Sequence, residues 1–321
     1  LTKVSIKCEI CADGDFTRFL SDIIGIDRNK YNFYKCTNCG FVGVYPIPKK
    51  EFLNNHYSKN HSGRIKTNIS AYNVLQSNKA AIEDCNKKIN YIEKKCCIGG
   101  NNILDIGCGH GFFLYAAKNK NYNAIGIDID QDAIEFGRKY LGVNILFNDI
   151  NSFDNIKTKY FKKFDIITFW MVFEHLRNPL DTIREATKLM KKGELLVGSV
   201  PNLSGIGVKL QGLRKWYLTV PPEHLNYFNK NSLNELFLKS DLMPVFIDTV
   251  PLYAMPYIVF GIRRKVIKVA QQSKNKLIQK IFLILHRLLT LIKRYLFYYP
   301  LNYLIILFKI EGNSLLFIGK K

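Results

Sequence analysis

Residues 103–111 read Ile-Leu-Asp-Ile-Gly-Cys-Gly-His-Gly. An apolar run ends in Asp105, and Gly107, Gly109 and Gly111 follow at alternate positions before the apolar segment 112–117. The pattern predicts a buried strand, a glycine turn and the start of a helix. Glycine lets a backbone approach a ligand where a Cβ would collide, so the turn is a candidate small-molecule site. Its spacing is not the Gly-x-Gly-x-x-Gly of a dinucleotide site, because the third glycine comes one residue early and Phe112 stands in its place. No Gly-Lys-Ser/Thr follows, which removes a P-loop. Two more acids sit downstream: Asp128 closes the run 124–127, and Asp149 follows the run 145–147. A carboxylate at such a strand end can accept two hydrogen bonds from ribose hydroxyls. Each acid taken singly reads as a helix N-cap. Three in order at successive strand ends read as one ligand-binding edge.

Two further groups carry chemistry. Glu223-His224 and Glu174-His175 follow predicted strands and hold groups able to move a proton. Scaffold roles stay open for both histidines: His224 can cap backbone or pair with Glu223, and His175 lies between apolar Phe173 and Leu176. Near the N-terminus, Cys8-x-x-Cys11 and Cys36-x-x-Cys39 are 24 residues apart. Two such turns can complete a tetrahedron of thiolates around zinc, with no position left for a substrate, so the metal would be structural. Four ordinary thiols in a small β-rich cap is the alternative.

These groups need a scaffold. Apolar runs at 103–106, 124–127, 145–147, 164–170, 194–200, 245–250 and 314–318 alternate with helical patterns at 112–120, 131–141, 179–191 and 231–238. This predicts an α/β fold: a doubly wound, seven-stranded, Rossmann-like sheet with helices on both faces. The expected domains are a zinc-binding module over 1–60, a helical connector over 61–98, a core over 99–250, a basic amphipathic helical insertion over 251–311, and a final core strand over 312–321.

Asp-x-Gly-x-Gly-x-Gly, with Ile-Asp-Ile-Asp after the second strand and Val-Phe-Glu-His-Leu-Arg-Asn-Pro after the fourth, resembles the class I S-adenosylmethionine-dependent methyltransferases. The resemblance covers about residues 100–250 and the last strand. It implies S-adenosylmethionine as cofactor, held by Asp105, Gly107, Gly109 and Gly111. Asp128 and Ile129 would lie at the ribose, Asp149 at the adenine amino group, and Ile150 on the adenine ring. The N-terminal Cys-Glu-Ile-Cys and Tyr-Lys-Cys-Thr-Asn-Cys-Gly-Phe, with Pro46, Pro48 and Tyr57, resemble the cysteine-rich front module of methyltransferases in sugar C-methylation and polysaccharide pathways. That similarity implies a saccharide or glycan-linked acceptor with Glu223, His224 and His175 around it. Two other readings stand beside it: O-methylation of a lipid or quinone-like acceptor, and a non-catalytic assembly protein that retains the fold.

Composition bounds the partners. The 321 residues carry a net charge of +21, and residues 249–310 hold eleven Lys or Arg and no Asp or Glu. Basic residues mixed into Leu, Ile, Phe and Tyr runs suit a helix on an anionic membrane surface, with a lid or a dimer element as competitors. Nucleic acid fits poorly, because the charge is embedded in aliphatic runs. No uncharged stretch there, Tyr295 to Phe308 included, is longer than 14 residues. A spanning helix needs about 20. Residues 1–20 lack a secretory pattern, and eight cysteines then suit a reducing compartment. The expected location is the cytoplasm, peripherally at the inner membrane face.

Overall fold

The computed structural model describes residues 3–53, 56, 71–95, 99–149, 156, 159–160, 162–250 and 311–321. The chain forms two compact units: residues 1–201, 220–248 and 316–321 make the first, and residues 202–219 and 249–315 the second.

Both sheets belong to the first unit apart from residues 249–250 and 314–315 at two strand ends. An antiparallel sheet is built from β1 (Lys3–Lys7), β2 (Asp15–Ile24), β3 (Lys30–Cys36) and β4 (Val42–Tyr45), and β10 (Asn226–Tyr227) completes it at the β4 edge. Along β3, Tyr31 and Phe33 are buried while Lys30, Asn32 and Tyr34 are not, as alternation on a half-buried strand requires; Cys36, at the strand's end, is buried out of that period. The aromatic core of this sheet takes residues from the far segment: Tyr227 lies 5.4 Å from Phe33 and Phe228 5.3 Å from Phe41, ring centre to ring centre. A module confined to 1–60 was the expectation. Its last strand instead comes from residues 226–227, because the edge of β4 pairs there through Gly43 and Val42.

The larger sheet holds β5 (Asn102–Ile106), β6 (Asn123–Asp128), β7 (Asn144–Phe147), β8 (Phe164–Trp170), β9 (Met190–Pro201), β11 (Met243–Val250) and β12 (Ser314–Lys320). Their order is β11-β12-β9-β8-β5-β6-β7. The pairs β5–β6, β5–β8, β6–β7 and β8–β9 are parallel. This is the expected seven-stranded Rossmann-like sheet. The helices are α1 (Ala71–Ser77), α2 (Lys79–Lys95), α3 (Phe112–Lys118), α4 (Gln131–Phe136), α5 (Pro179–Thr187), α6 (Ile206–Gln211) and α7 (Lys230–Leu238). α2 buries Cys85, Ile89 and Ile92 in one cluster with Ile103, Phe113 and Ala116. Leu114, Ile134, Phe136, Leu141 and Ile145 form another. In the second unit α6 is tied down by Asn313, whose side-chain oxygen accepts from Gly207 N–H at 2.7 Å.

Two helices differ from the sequence pattern. The helix expected over 131–141 is α-helical to Phe136 and then a π-turn over Gly137–Leu141. The change falls at Gly137, where a Cβ would lie 2.7 Å from the carbonyl oxygen of His110. The helix expected over 179–191 stops at Thr187, and Met190 already belongs to β9. Lys191 leaves the helical pattern because its ammonium pairs with Asp165, a buried acid near the start of β8. Of the insertion expected over 251–311, residues 251–310 lie outside the described residues. Among the described residues no helix is long and apolar enough to cross a membrane.

Candidate active site

The three glycines of the turn do different work. All have positive φ, at +70°, +51° and +79° for Gly107, Gly109 and Gly111. A Cβ on Gly107 would press on Val172 at 2.8 Å, and one on Gly111 on Val143 at 2.8 Å. A Cβ on Gly109 would meet nothing within 4 Å. Gly107 and Gly111 are therefore packing glycines, and Gly109 is the one that faces open space.

The acids hold this turn. Asp105, the last residue but one of β5, lies in the core, 2% exposed, and accepts a 2.6 Å hydrogen bond from the Thr168 hydroxyl on the neighbouring strand β8. Burial pushes its carboxyl up to about 7, against the opposing hydrogen bond from Thr168. Asp128 ends β6 and accepts three backbone N–H groups: Gly109 at 2.7 Å on Oδ2, and Ile129 at 2.8 Å and Asp130 at 2.9 Å on Oδ1. Burial raises this carboxyl and the backbone donors oppose it. The N-cap of α4 is Asp130, which accepts from Ala133 N–H at 3.1 Å, so Asp128 has no capping duty. A carboxylate offers about four lone-pair directions. Three are used, which leaves one, on Oδ2, where two ribose hydrogen bonds were expected. Asp149 follows β7 and pairs with Lys50 Nζ at 2.8 Å, a residue of the N-terminal segment. Ile150 lies outside the described residues.

The residues expected at the acceptor meet at a second place in the same unit. Phe173–His175 form one 3₁₀ turn after β8. Residues 225–226 hold it: Leu225 N–H donates to the Glu174 carbonyl at 2.7 Å, and the Asn226 amide to the carbonyls of Phe173 at 2.9 Å and Leu176 at 2.6 Å. The rings of His175 and His224 lie 4.8 Å apart, edge to face. His175 Nδ1 is 2.8 Å from the Glu223 carbonyl oxygen. Since a carbonyl only accepts, Nδ1 carries a proton, and in the neutral ring Nε2 is the acceptor nitrogen. Glu223 thus reaches His175 through its backbone. The carboxylate in the group is Glu174, which the sequence placed beside His175 but not among the residues expected around the acceptor. It is 0% exposed, neither oxygen has a hydrogen-bond partner, and Oε1 lies 3.9 Å from His175 Nε2. Burial pushes its carboxyl up to about 8. Thr168 and Lys50 were also missed. A polar residue inside the apolar run 164–170 was the available sign for Thr168; Lys50 had none.

The four N-terminal cysteines converge. Cys8, Cys11, Cys36 and Cys39 are each at most 1% exposed, with Sγ atoms all within 4.8 Å of one another. Cys8 and Cys39 sulfurs are 3.8 Å apart, and Cys11 and Cys36 sulfurs 3.7 Å. Four sulfurs at about 2.3 Å around a tetrahedral ion lie about 3.8 Å apart, so the donor set fits zinc. Backbone N–H groups of Ile10 and Asn38 point to the sulfurs of Cys8 and Cys36, both at 3.4 Å, as in a metal knuckle.

A glycine turn clamped by an acid from the next strand, on this strand order, defines the class. Residues 77–245 match the family model described as "Methyltransferase domain". The chain belongs to this methyltransferase family, and its core is a class I S-adenosylmethionine-dependent methyltransferase domain. Among curated relatives it is similar to the ubiquinone biosynthesis O-methyltransferase of Coxiella burnetii, 30% identical over 120 residues, 36% of this chain and 50% of that one. The Pseudomonas aeruginosa protein of the same name is 28% identical over 109 residues, 33% of this chain and 47% of that one. The chain spans about half the length of the curated relatives it matches. Of solved structures, a SAM-dependent methyltransferase from Archaeoglobus fulgidus aligns with 78% of this chain and 100% of its own, at 19% identity and a TM-score of 0.48.

Proposed function

We propose that the chain transfers a methyl group from S-adenosylmethionine to a saccharide or glycan-linked acceptor. The observation that carries the cofactor assignment is the pairing of Gly109 with Asp128: the open glycine and the acid that clamps it meet at one sheet edge. In this reading the remaining Oδ2 direction of Asp128 takes a ribose hydroxyl, Gly109 approaches the cofactor closely, and Ile129 packs beside it. Asp149 with Ile150 takes the adenine, and Lys50 yields Asp149 or bridges to the base. Methyl transfer is an in-line displacement in which alignment supplies much of the rate. His175, His224 and Glu223 lie on the acceptor side, where a hydroxyl or carbon acceptor needs a proton removed. The cysteine cluster would hold zinc, which would supply structure to the antiparallel sheet and no chemistry at the acceptor.

A second reading has two observations in its favour. The similarity to ubiquinone biosynthesis O-methyltransferases supports an O-methylated lipid or quinone-like acceptor. The basic, aliphatic residues of 251–310 suit access to such a molecule at an anionic membrane surface. Titration calorimetry with S-adenosylmethionine tests the common step, and absence of binding would leave only the assembly-protein reading. Transfer of labelled methyl from S-adenosylmethionine to nucleotide-linked sugars, compared with polyprenylated phenols, then separates the acceptors.

A further inference from the structure

We propose that Glu174, His175 and His224 form a second divalent-metal site, separate from the cysteine cluster, with an open coordination position toward the acceptor. The existence of the site rests on its own geometry; its role rests on the methyl-transfer reading above.

Three observations carry it. The ligand atoms of the three side chains all lie within 4.8 Å of one another. A tetrahedral ion with bonds of about 2.1 Å spaces its ligands about 3.4 Å apart, so binding draws them together by no more than about 1.5 Å. Second, Glu174 is fully buried and neither oxygen has a hydrogen-bond partner. A buried carboxylate without a partner is strongly disfavoured, and metal coordination is one of the few arrangements that reverses this. Third, His175 Nδ1 donates to the Glu223 carbonyl at 2.8 Å. Metal-bound histidines almost always make such a bond with the second ring nitrogen, because it fixes the tautomer and aims the other lone pair. The 3₁₀ turn carrying Glu174 and His175 is already locked to residues 225–226, so the ligands come on a held frame.

The donor set states the ion's class. Two imidazoles and a carboxylate suit a borderline ion such as zinc, iron(II) or cobalt(II), whereas four thiolates select zinc. Three protein ligands leave a fourth position. An acceptor oxygen bound there would be acidified by the ion, with His224 serving as ligand.

The test uses the full chain loaded with cobalt(II), with bound metal counted and the absorption spectrum recorded. The expected result is two ions per chain. One shows thiolate-to-cobalt charge transfer; the other does not and is lost from Glu174→Gln and His224→Ala. Ligand loss should weaken that ion by more than about 100-fold, beyond the 10- to 100-fold cost of losing an outer-shell partner. Circular dichroism and a retained thiolate band show that each variant is folded, and His224→Gln replaces any variant that is not. A single ion with a thiolate spectrum, or a second ion indifferent to both substitutions, would overturn the proposal. S-adenosylmethionine binding to the same samples keeps the two ideas apart. Binding without a second ion sinks the metal site alone. A second ion without cofactor binding supports the site and sinks the methyl-transfer reading.

Discussion

Substitution of two glycines in one turn should separate packing from ligand contact. Gly109→Ala and Gly111→Ala both place an L side chain at positive φ, which costs roughly 1–2 kcal/mol. The Gly109 methyl enters open space, so nothing is added to that cost. The Gly111 methyl would lie 2.8 Å from Val143 and 3.0 Å from Ile145, both in a buried cluster. Overpacking of this kind costs about 1–3 kcal/mol more. In urea without cofactor, Gly109→Ala should lose about 1–2 kcal/mol and Gly111→Ala about 2–5 kcal/mol. Calorimetry with S-adenosylmethionine should show the reverse order: a large loss of affinity for Gly109→Ala, and a smaller one for whatever fraction of Gly111→Ala remains folded. Equal stability losses, or unchanged cofactor affinity in Gly109→Ala, would refute the assignment of Gly109 to the ligand face.

Three other outcomes are expected. Asp128→Asn turns an NH₂ toward either Gly109 N–H or the Ile129 and Asp130 N–H groups; leaving at least one part-buried donor unpaired should cost about 1–3 kcal/mol in urea melts and lower cofactor affinity in calorimetry. Asp105 is held neutral up to about pH 7, so its contribution to stability is full below about pH 4 and is lost as pH rises through about 7. Urea melts of the cofactor-free protein at pH 5 and pH 8 should show the larger part of this loss, on the order of 3 kcal/mol, in the wild type and much less of it in Asp105→Asn, which keeps an acceptor for Thr168. Replacing Cys36 and Cys39 together by Ser should remove zinc, speed proteolysis within 3–45, and raise hydrogen exchange at residues 226–227, because β10 pairs with β4.

The seven-stranded sheet was readable because most of its strands are apolar runs, several of them closed by acids or glycines, patterns that local sequence carries. Asp105, Asp128 and the glycine turn came with it. What stayed hidden depends on distant pairing. Asn226–Tyr227 is two residues long and has no period of its own; it becomes a strand only because β4 offers an edge. Lys50 is one lysine among many in the sequence until the fold brings it to Asp149. Glu174 was visible as a letter in a motif, but its burial without a partner is a property of packing, and sequence reasoning gave the carboxylate role to Glu223. Helix α5 was drawn too long because Met190 and Lys191 continue its amphipathic pattern, and only the partner acid Asp165 shows that Lys191 belongs to the next strand.

The strand Asn226–Tyr227 also sets an order of assembly. Gly43 waits for Asn226 across more than half of the chain, so during synthesis the sheet of β1 to β4 leaves the ribosome with the β4 edge unpaired. An unpaired edge is a template for other strands until its partner arrives. Ion binding by the cysteines can tie β1 to β4 together early, while the edge closes only after β9 has been made. A fragment ending before residue 226 would therefore keep its metal ligands and yet carry an open edge, which makes such fragments prone to association.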